Sequence, residues 1–177
     1  MLSRIRIAAA FLICLLAKAQ QPPLEYQVKA AFLLNFTKFI QWPADSASPG
    51  SPFGICILGE DPFGIALDQI VAGETYQRRK ITVQRVHRPV PPSCLVLFVS
   101  NSEKELDTLL AGLGPGVLTV GDSPGFLRDG GMIAFVVDNR RVRFDIDLAA
   151  AIKARLLISS KLLTVARNVE NKNAAAF

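Results

Sequence analysis

The chain has 177 residues, half of them hydrophobic, with a formal net charge of +5. That length fits one domain with a real buried core, and that apolar share excludes disorder over most of the chain. One histidine, with Cys56 and Cys94 expected to be joined to each other, cannot build a zinc or copper centre.

Part of the apolar share and of the charge belongs to the start of the chain. Arg4 and Arg6 precede an apolar run over 7–17, and Ala17-Lys18-Ala19 is a small-x-small cleavage site. The pattern predicts a cleaved secretory signal over 1–19, because the run is too short to span a bilayer comfortably. Cys14 lacks the small residues before it that lipoprotein processing needs. Removal of 1–19 takes away Arg4, Arg6 and Lys18 and no acid, so the net charge falls from +5 to +2. A nucleic-acid or membrane-surface role loses support accordingly. Cys56 and Cys94 remain, and two cysteines in an exported chain most simply form one disulfide.

From Leu24 apolar residues recur at helical spacing through Val28, Phe32, Leu33, Phe36, Phe39 and Ile40. Trp42-Pro43 ends that helix, since a residue before proline is pushed out of the α region. The span 44–52, rich in Ser, Pro and Gly, reads as a loop, and 53–58 as a buried strand. Asp61 is placed to cap a helix starting at Pro62, with Phe63, Leu67, Ile70 and Val71 inward and a stop at Gly73. The span 80–86 alternates and reads as a peripheral strand. Pro89, Pro91 and Pro92 stiffen the connector to 94–99, which is continuously apolar, as a strand covered on both faces is. Ser100 and Glu103 make a capping box for a helix that buries Leu106, Leu109 and Leu110 and ends at Gly112 or Gly114. Strands follow at 117–120 and 132–137, then a tight turn at Asp138-Asn139. The span 141–147 alternates strictly. Val142, Phe144 and Ile146 share one face, and Arg141, Arg143, Asp145 and Asp147 a wet one, as in a strand at a sheet edge. A helix over 148–155 comes next, then a second one capped by Ser159 that carries Leu162, Leu163 and Val165.

Strands alternating with helices imply a single α/β domain over 20–170. It is a three-layer α/β/α arrangement with a mostly parallel, five- to six-stranded sheet and a C-terminal hairpin plus helices. A flexible tail covers 171–177. If the first and third strands are neighbours, Cys56 and Cys94 sit at near matching heights, within disulfide reach.

Few motifs carry chemistry. Gly121-Asp122-Ser123-Pro124-Gly125 matches the G-x-S-x-G nucleophile elbow in letters only. An elbow runs from strand to Ser to helix, whereas Gly130-Gly131 and a second apolar run follow here. Pro124 has no N–H to give an oxyanion hole, and the single histidine, His87, lies upstream. His87 reads as solvated or locally hydrogen-bonded, and Arg78-Arg79-Lys80 as a solvated face. Walker A, G-x-G-x-x-G and C-x-x-C patterns are absent. The loops at 59–61, 100–101 and 121–123 should gather at the carboxyl edge of the sheet, where α/β folds bind ligands. Asp61, Asp122 and Ser123 are therefore the candidate ligand edge, although ordinary capping also accounts for each of them. The terminal helices are either core cover or a partner surface.

Four separated stretches carry a family resemblance: EYQVKAAFLLNFTKFIQWP, FGICILGEDPFG, VLTVGDSPGFLRDGGMIAFVVDNRRVRFDID and ISSKLLTVA. In that order, behind a signal peptide, the chain resembles the YfiR family, also described as DUF4154 domains. The resemblance covers nearly all of the mature chain. It implies a compact periplasmic α/β domain that represses a membrane-bound diguanylate cyclase by binding the cyclase's periplasmic sensor domain. Cyclic-di-GMP synthesis and biofilm formation would thereby be restrained. It implies that Cys56 and Cys94 are the structural disulfide, while the second cysteine pair of some relatives, near the terminal strand and helix, is missing. Asp147 stands where such relatives often have asparagine, and Arg155 where glycine is common, which would weaken the break between the last two helices.

The expectation is thus a non-enzymatic periplasmic regulator with no cofactor, no metal and no nucleic acid. Its partner would be the periplasmic domain of an inner-membrane diguanylate cyclase. Leu156, Ile158, Leu162 and Leu163 are the expected anchors and Arg141 and Arg143 the rim, and the edge strand invites a homodimer. The alternative is a small-ligand sensor using Asp61, Asp122 and Ser123.

Overall fold

A computed structural model describes residues 22–46 and 50–171. The expected signal at 1–19 and nearly all of the expected tail lie outside those residues. Helix α1 (Leu24–Phe39) runs straight into a short strand, β1 (Ile40–Gln41). Then come β2 (Phe53–Leu58), α2 (Ile65–Val71), β3 (Thr75–Tyr76), β4 (Arg79–Val86), β5 (Cys94–Val99), α3 (Leu106–Ala111) and β6 (Leu118–Gly121). The last third holds β7 (Ile133–Asp138), β8 (Arg141–Asp147), α4 (Leu148–Lys153), β9 (Leu157–Ile158), α5 (Ser160–Val165) and β10 (Asn168–Glu170).

The main sheet has eight strands in the order β10-β8-β7-β6-β5-β2-β4-β3. Strands β4, β2, β5, β6 and β7 are parallel, β8 returns antiparallel to β7, and β10 lies parallel to β8. The alternation of β2 divides the core. Phe53, Ile55 and Ile57 join Leu33, Phe36 and Leu67 on the α1/α2 side, while Cys56 and Leu58 join Leu109 of α3 on the other. All six residues of β2 and of β5 are buried, as a sheet covered on both faces requires.

The two strands beyond the expected six are β3 and β10, of two and three residues, too short to leave a periodic signal. Strand β10 removes β8 from the edge, so its expected wet face is partly buried: Asp145 is 8% and Asp147 5% exposed. Both acids are used there. Asp145 Oδ1 accepts from Arg167 Nε at 2.8 Å, and Asp147 Oδ1 caps α4 through the Ala150 N–H at 3.0 Å.

Two helices start later than expected. Asp61 Oδ1 accepts the N–H groups of Phe63 and Gly64 at 2.7 and 3.2 Å, but this closes a turn, and α2 begins only after Gly64 at φ +52°. The capping box at Ser100 does not form. Glu103 Oε2 is taken by Arg88 at 3.1 Å, and α3 begins after Glu105 at φ +52°. The cap at Ser159 does form, with its Oγ accepting from the Leu162 N–H at 3.3 Å.

Cys56 and Cys94 are joined, with Cα atoms 5.6 Å apart. They are not level. Cys94 lies opposite Gly54, and Cys56 opposite Leu97, because the β2–β5 register shifts between Gly54 and Ile55. Gly54 permits the shift, since a Cβ there would stand 2.4 Å from the Ser93 carbonyl oxygen. The connection from α4 to β9 turns sharply through Arg155 at φ +62°. The N–H of Leu156 reaches the Ala151 carbonyl at 3.0 Å and that of Arg155 the Ile152 carbonyl at 2.8 Å, which together make a Schellman stop. The break expected to be weakened by an arginine is therefore kept in full.

Candidate functional site

The three loops expected to share one cleft do not. Glu60 N–H donates to Ser102 Oγ at 3.0 Å, and Ser102 Oγ lies 3.2 Å from Ser100 Oγ. The gap between the ends of β2 and β5, where this strand order changes direction, is thereby closed by its own loops. Asp61 is consumed as well: Oδ1 holds the turn, and Oδ2 accepts from Arg85 Nε at 2.9 Å. Arg85 in turn grips Asp68 at 2.6 Å, and that hydrogen bond holds the Asp68 carboxyl below its ordinary value of 3.8.

Asp122 lies in a different place, at a groove of about 700 Å³ beyond the end of β6. The loop after Gly121 forms one wall. Turns follow Ser123, not a helix, and Phe126 packs back against Gly121 and Gly131. A Cβ on either glycine would fall within 2.6 Å of the Phe126 ring, so glycine at both ends is what lets the loop fold over the strand. Val136 and Val137 of β7 form the opposite wall, and Glu25 and Lys29 of α1 close one end.

Lys29 organises that end. Its side chain is 3% exposed, and Nζ lies 2.7 Å from Asp122 Oδ2 and 2.6 Å from Glu25 Oε1. Tyr26 OH donates to the same Asp122 oxygen at 3.0 Å, and the Lys29 ammonium sits 4.3 Å from the Tyr26 ring centroid. Burial opposes the charge on Lys29, but the bonds to Asp122 and Glu25 together outweigh it and raise its pKa. Burial and then the Asp122 carboxylate raise that of Tyr26. Asp122 thus anchors α1 to the loop, and Ser123 is left partly exposed beside it. Lys29 was legible in principle, because it stands at i−4 from Leu33 and i−7 from Phe36 on the buried face of α1. Arg167, which fixes Asp145 on the far side of the groove, gave no such signal.

The expected partner surface is divided by burial. Leu156 is fully buried and Leu162 is 4% exposed, both inside the core on the α1 side, so neither can anchor a partner. Ile158 and Leu163 are half-buried against the same core. The reason is β9, which pairs Ile158 with Ile40 and Leu157 with Gln41 and draws the segment onto the end of α1. The large apolar side chains left outside on the two terminal helices and the link between them are Ile152 at 57%, Leu157 at 64% and Val165 at 56% exposed. Arg141 is exposed and Arg143 half-buried, on β8 of the β7–β8 hairpin, whose β7 strand lines the groove.

Among the described residues no group of three or more His, Cys, Asp or Glu could hold a metal ion, and no helix is long and apolar enough to cross a membrane. A family model described as YfiR/HmsC-like (DUF4154) matches residues 26–167. No curated protein matches the chain.

Proposed function

The chain belongs to the YfiR/HmsC-like family, and from that premise we propose that it is a periplasmic, non-enzymatic regulator of cyclic-di-GMP signalling. In this reading it binds the periplasmic domain of a membrane diguanylate cyclase stoichiometrically and stabilises the inactive state of that enzyme. The single observation that carries the reading is the family match, which runs from the start of α1 to the residue before β10. The site supports it from the side of chemistry. The G-x-S-x-G loop runs into turns and not a helix, Pro124 lacks the N–H an oxyanion hole needs, and the buried charges at Lys29 and Asp145 are paired into structure. Deleting the gene should raise cellular cyclic-di-GMP and surface attachment, and restoring the chain should lower both. Unchanged nucleotide levels would refute the regulator reading.

The Asp122 groove gives a second reading, a sensor for a small polar ligand, room for which exists beside Ser123. A thermal-shift screen against periplasmic metabolites tests it, with a ligand-dependent rise in Tm that is lost in Ser123→Trp as the expected result. A screen without any such rise refutes it.

A further inference from the structure

The overhang of β7 leaves a length of sheet edge with no strand on it among the described residues. Strand β6 stops at Gly121, opposite Ala134, while β7 continues to Asp138 against β8. The Asp147 N–H donates to the Met132 carbonyl at 2.8 Å, and the Arg167 N–H to the Phe144 carbonyl at 2.8 Å. In an antiparallel ladder this phase directs the N–H and C=O of Ala134, Val136 and Asp138 toward β8. Those of Phe135 and Val137 face the other way, along the line that β6 has left. That line is the groove itself, and Val137 on its wall is 57% exposed.

The surrounding charge selects the occupant. Arg128 lines the groove, and Arg141 and Arg143 share with Asp145 the face of β8 that borders it. Of the acids that line the groove, Glu25 and Asp122 pair with Lys29, Asp145 pairs with Arg167, and Glu170 is also engaged, whereas Arg128, Arg141 and Arg143 make no ion pair among the described residues. We propose that an extended, acidic segment of the partner protein adds to the free edge of β7 as an extra strand, bonding the backbone of Phe135 and Val137 and placing carboxylates on Arg128 and Arg143. The four residues of the overhang offer about 13 Å of strand. For the identity of the partner, though not for the mode of binding, this rests on the regulator reading above.

The test is in-cell photo-crosslinking from position 123, at the mouth of the groove, with the cross-linked peptide identified by mass spectrometry. The expected adduct joins the chain to one acidic segment of the periplasmic part of a membrane diguanylate cyclase. Val137→Pro removes an N–H that β8 does not use, and Arg128→Glu reverses the free charge, so each should lower the adduct yield about tenfold. Both variants are required to keep the parent's Tm, and Arg128→Glu alone decides the matter if Val137→Pro fails to fold. Adducts confined to the chain's own tail or to a second copy overturn the proposal, as does the absence of an adduct, or full yield in a folded variant. An acidic adduct from a protein other than a cyclase keeps the binding mode and sinks the regulator reading. A rise in cyclic-di-GMP on gene deletion without any adduct does the reverse.

Discussion

Lys29 is the residue on which the end of the groove depends. Two carboxylates and a phenol converge on one nearly buried ammonium, and removal of the cation leaves Asp122 facing Glu25 across the same space. A buried pair broken on one side commonly costs several kcal/mol. Lys29→Met should therefore lower the unfolding free energy in urea by about 3 kcal/mol, less whatever the half-exposed Glu25 recovers from water. A loss within experimental error would mean that the pair contributes nothing net. The pH dependence follows from the raised pKa. Lys29 contributes its ion pairs throughout the range below its ordinary value of 10.5 and loses them only as the pH climbs above it. Wild type should accordingly lose more stability between neutral pH and pH ~11 than Lys29→Met does, as urea midpoints across that range would reveal.

At the scale of elements, one covalent link and one turn carry the clearest expectations. The Cys56–Cys94 bridge closes a separation of 38 residues between neighbouring strands, and both cysteines are fully buried. In the chain-entropy model a loop of that size contributes about 4 kcal/mol. The double variant Cys56→Ala/Cys94→Ala should fall short of wild type by roughly that amount in denaturant. Reductant should act on the native protein only at the rate of unfolding, which thiol counting over time will detect. Rapid reduction without loss of structure would contradict the burial. The turn at Arg155 holds a residue with a Cβ at φ +62°, where glycine has none to strain. Its ion pair with Asp45 joins two exposed side chains and is screened by solvent. Arg155→Gly should thus raise Tm, and a lower Tm would show that the surface pair matters more than the backbone.

For the molecule as a whole, the consecutive strands and the two helical faces were legible because each is long enough to repeat its period. Strand β2 buries six residues in a row, and α1 sets Leu33 and Phe36 one turn apart on its buried face. The short pieces were not legible. Strands β1, β3, β9 and β10 have two or three residues each and exist through the neighbours they meet. Their consequences are large. Strand β9 turns the expected anchor Leu156 into core, and β10 converts an edge strand into an inner one. The candidate site moved for the same reason. Asp61 and Asp122 follow adjacent-looking strand ends in sequence, yet one is tied to Arg85 and the other to Lys29.

By itself, the order of apolar runs and turns determined the α/β class, the parallel sheet and the pair of cysteines that can meet. Local periodicity and caps act within a few residues, so they are written in the chain. Tertiary structure alone decided which carboxylates are occupied, where β6 stops short of β7, and which arginines make no ion pair among the described residues. Those depend on pairings between residues tens of positions apart, Lys29 with Asp122 and Asp145 with Arg167, whose geometry no local pattern encodes.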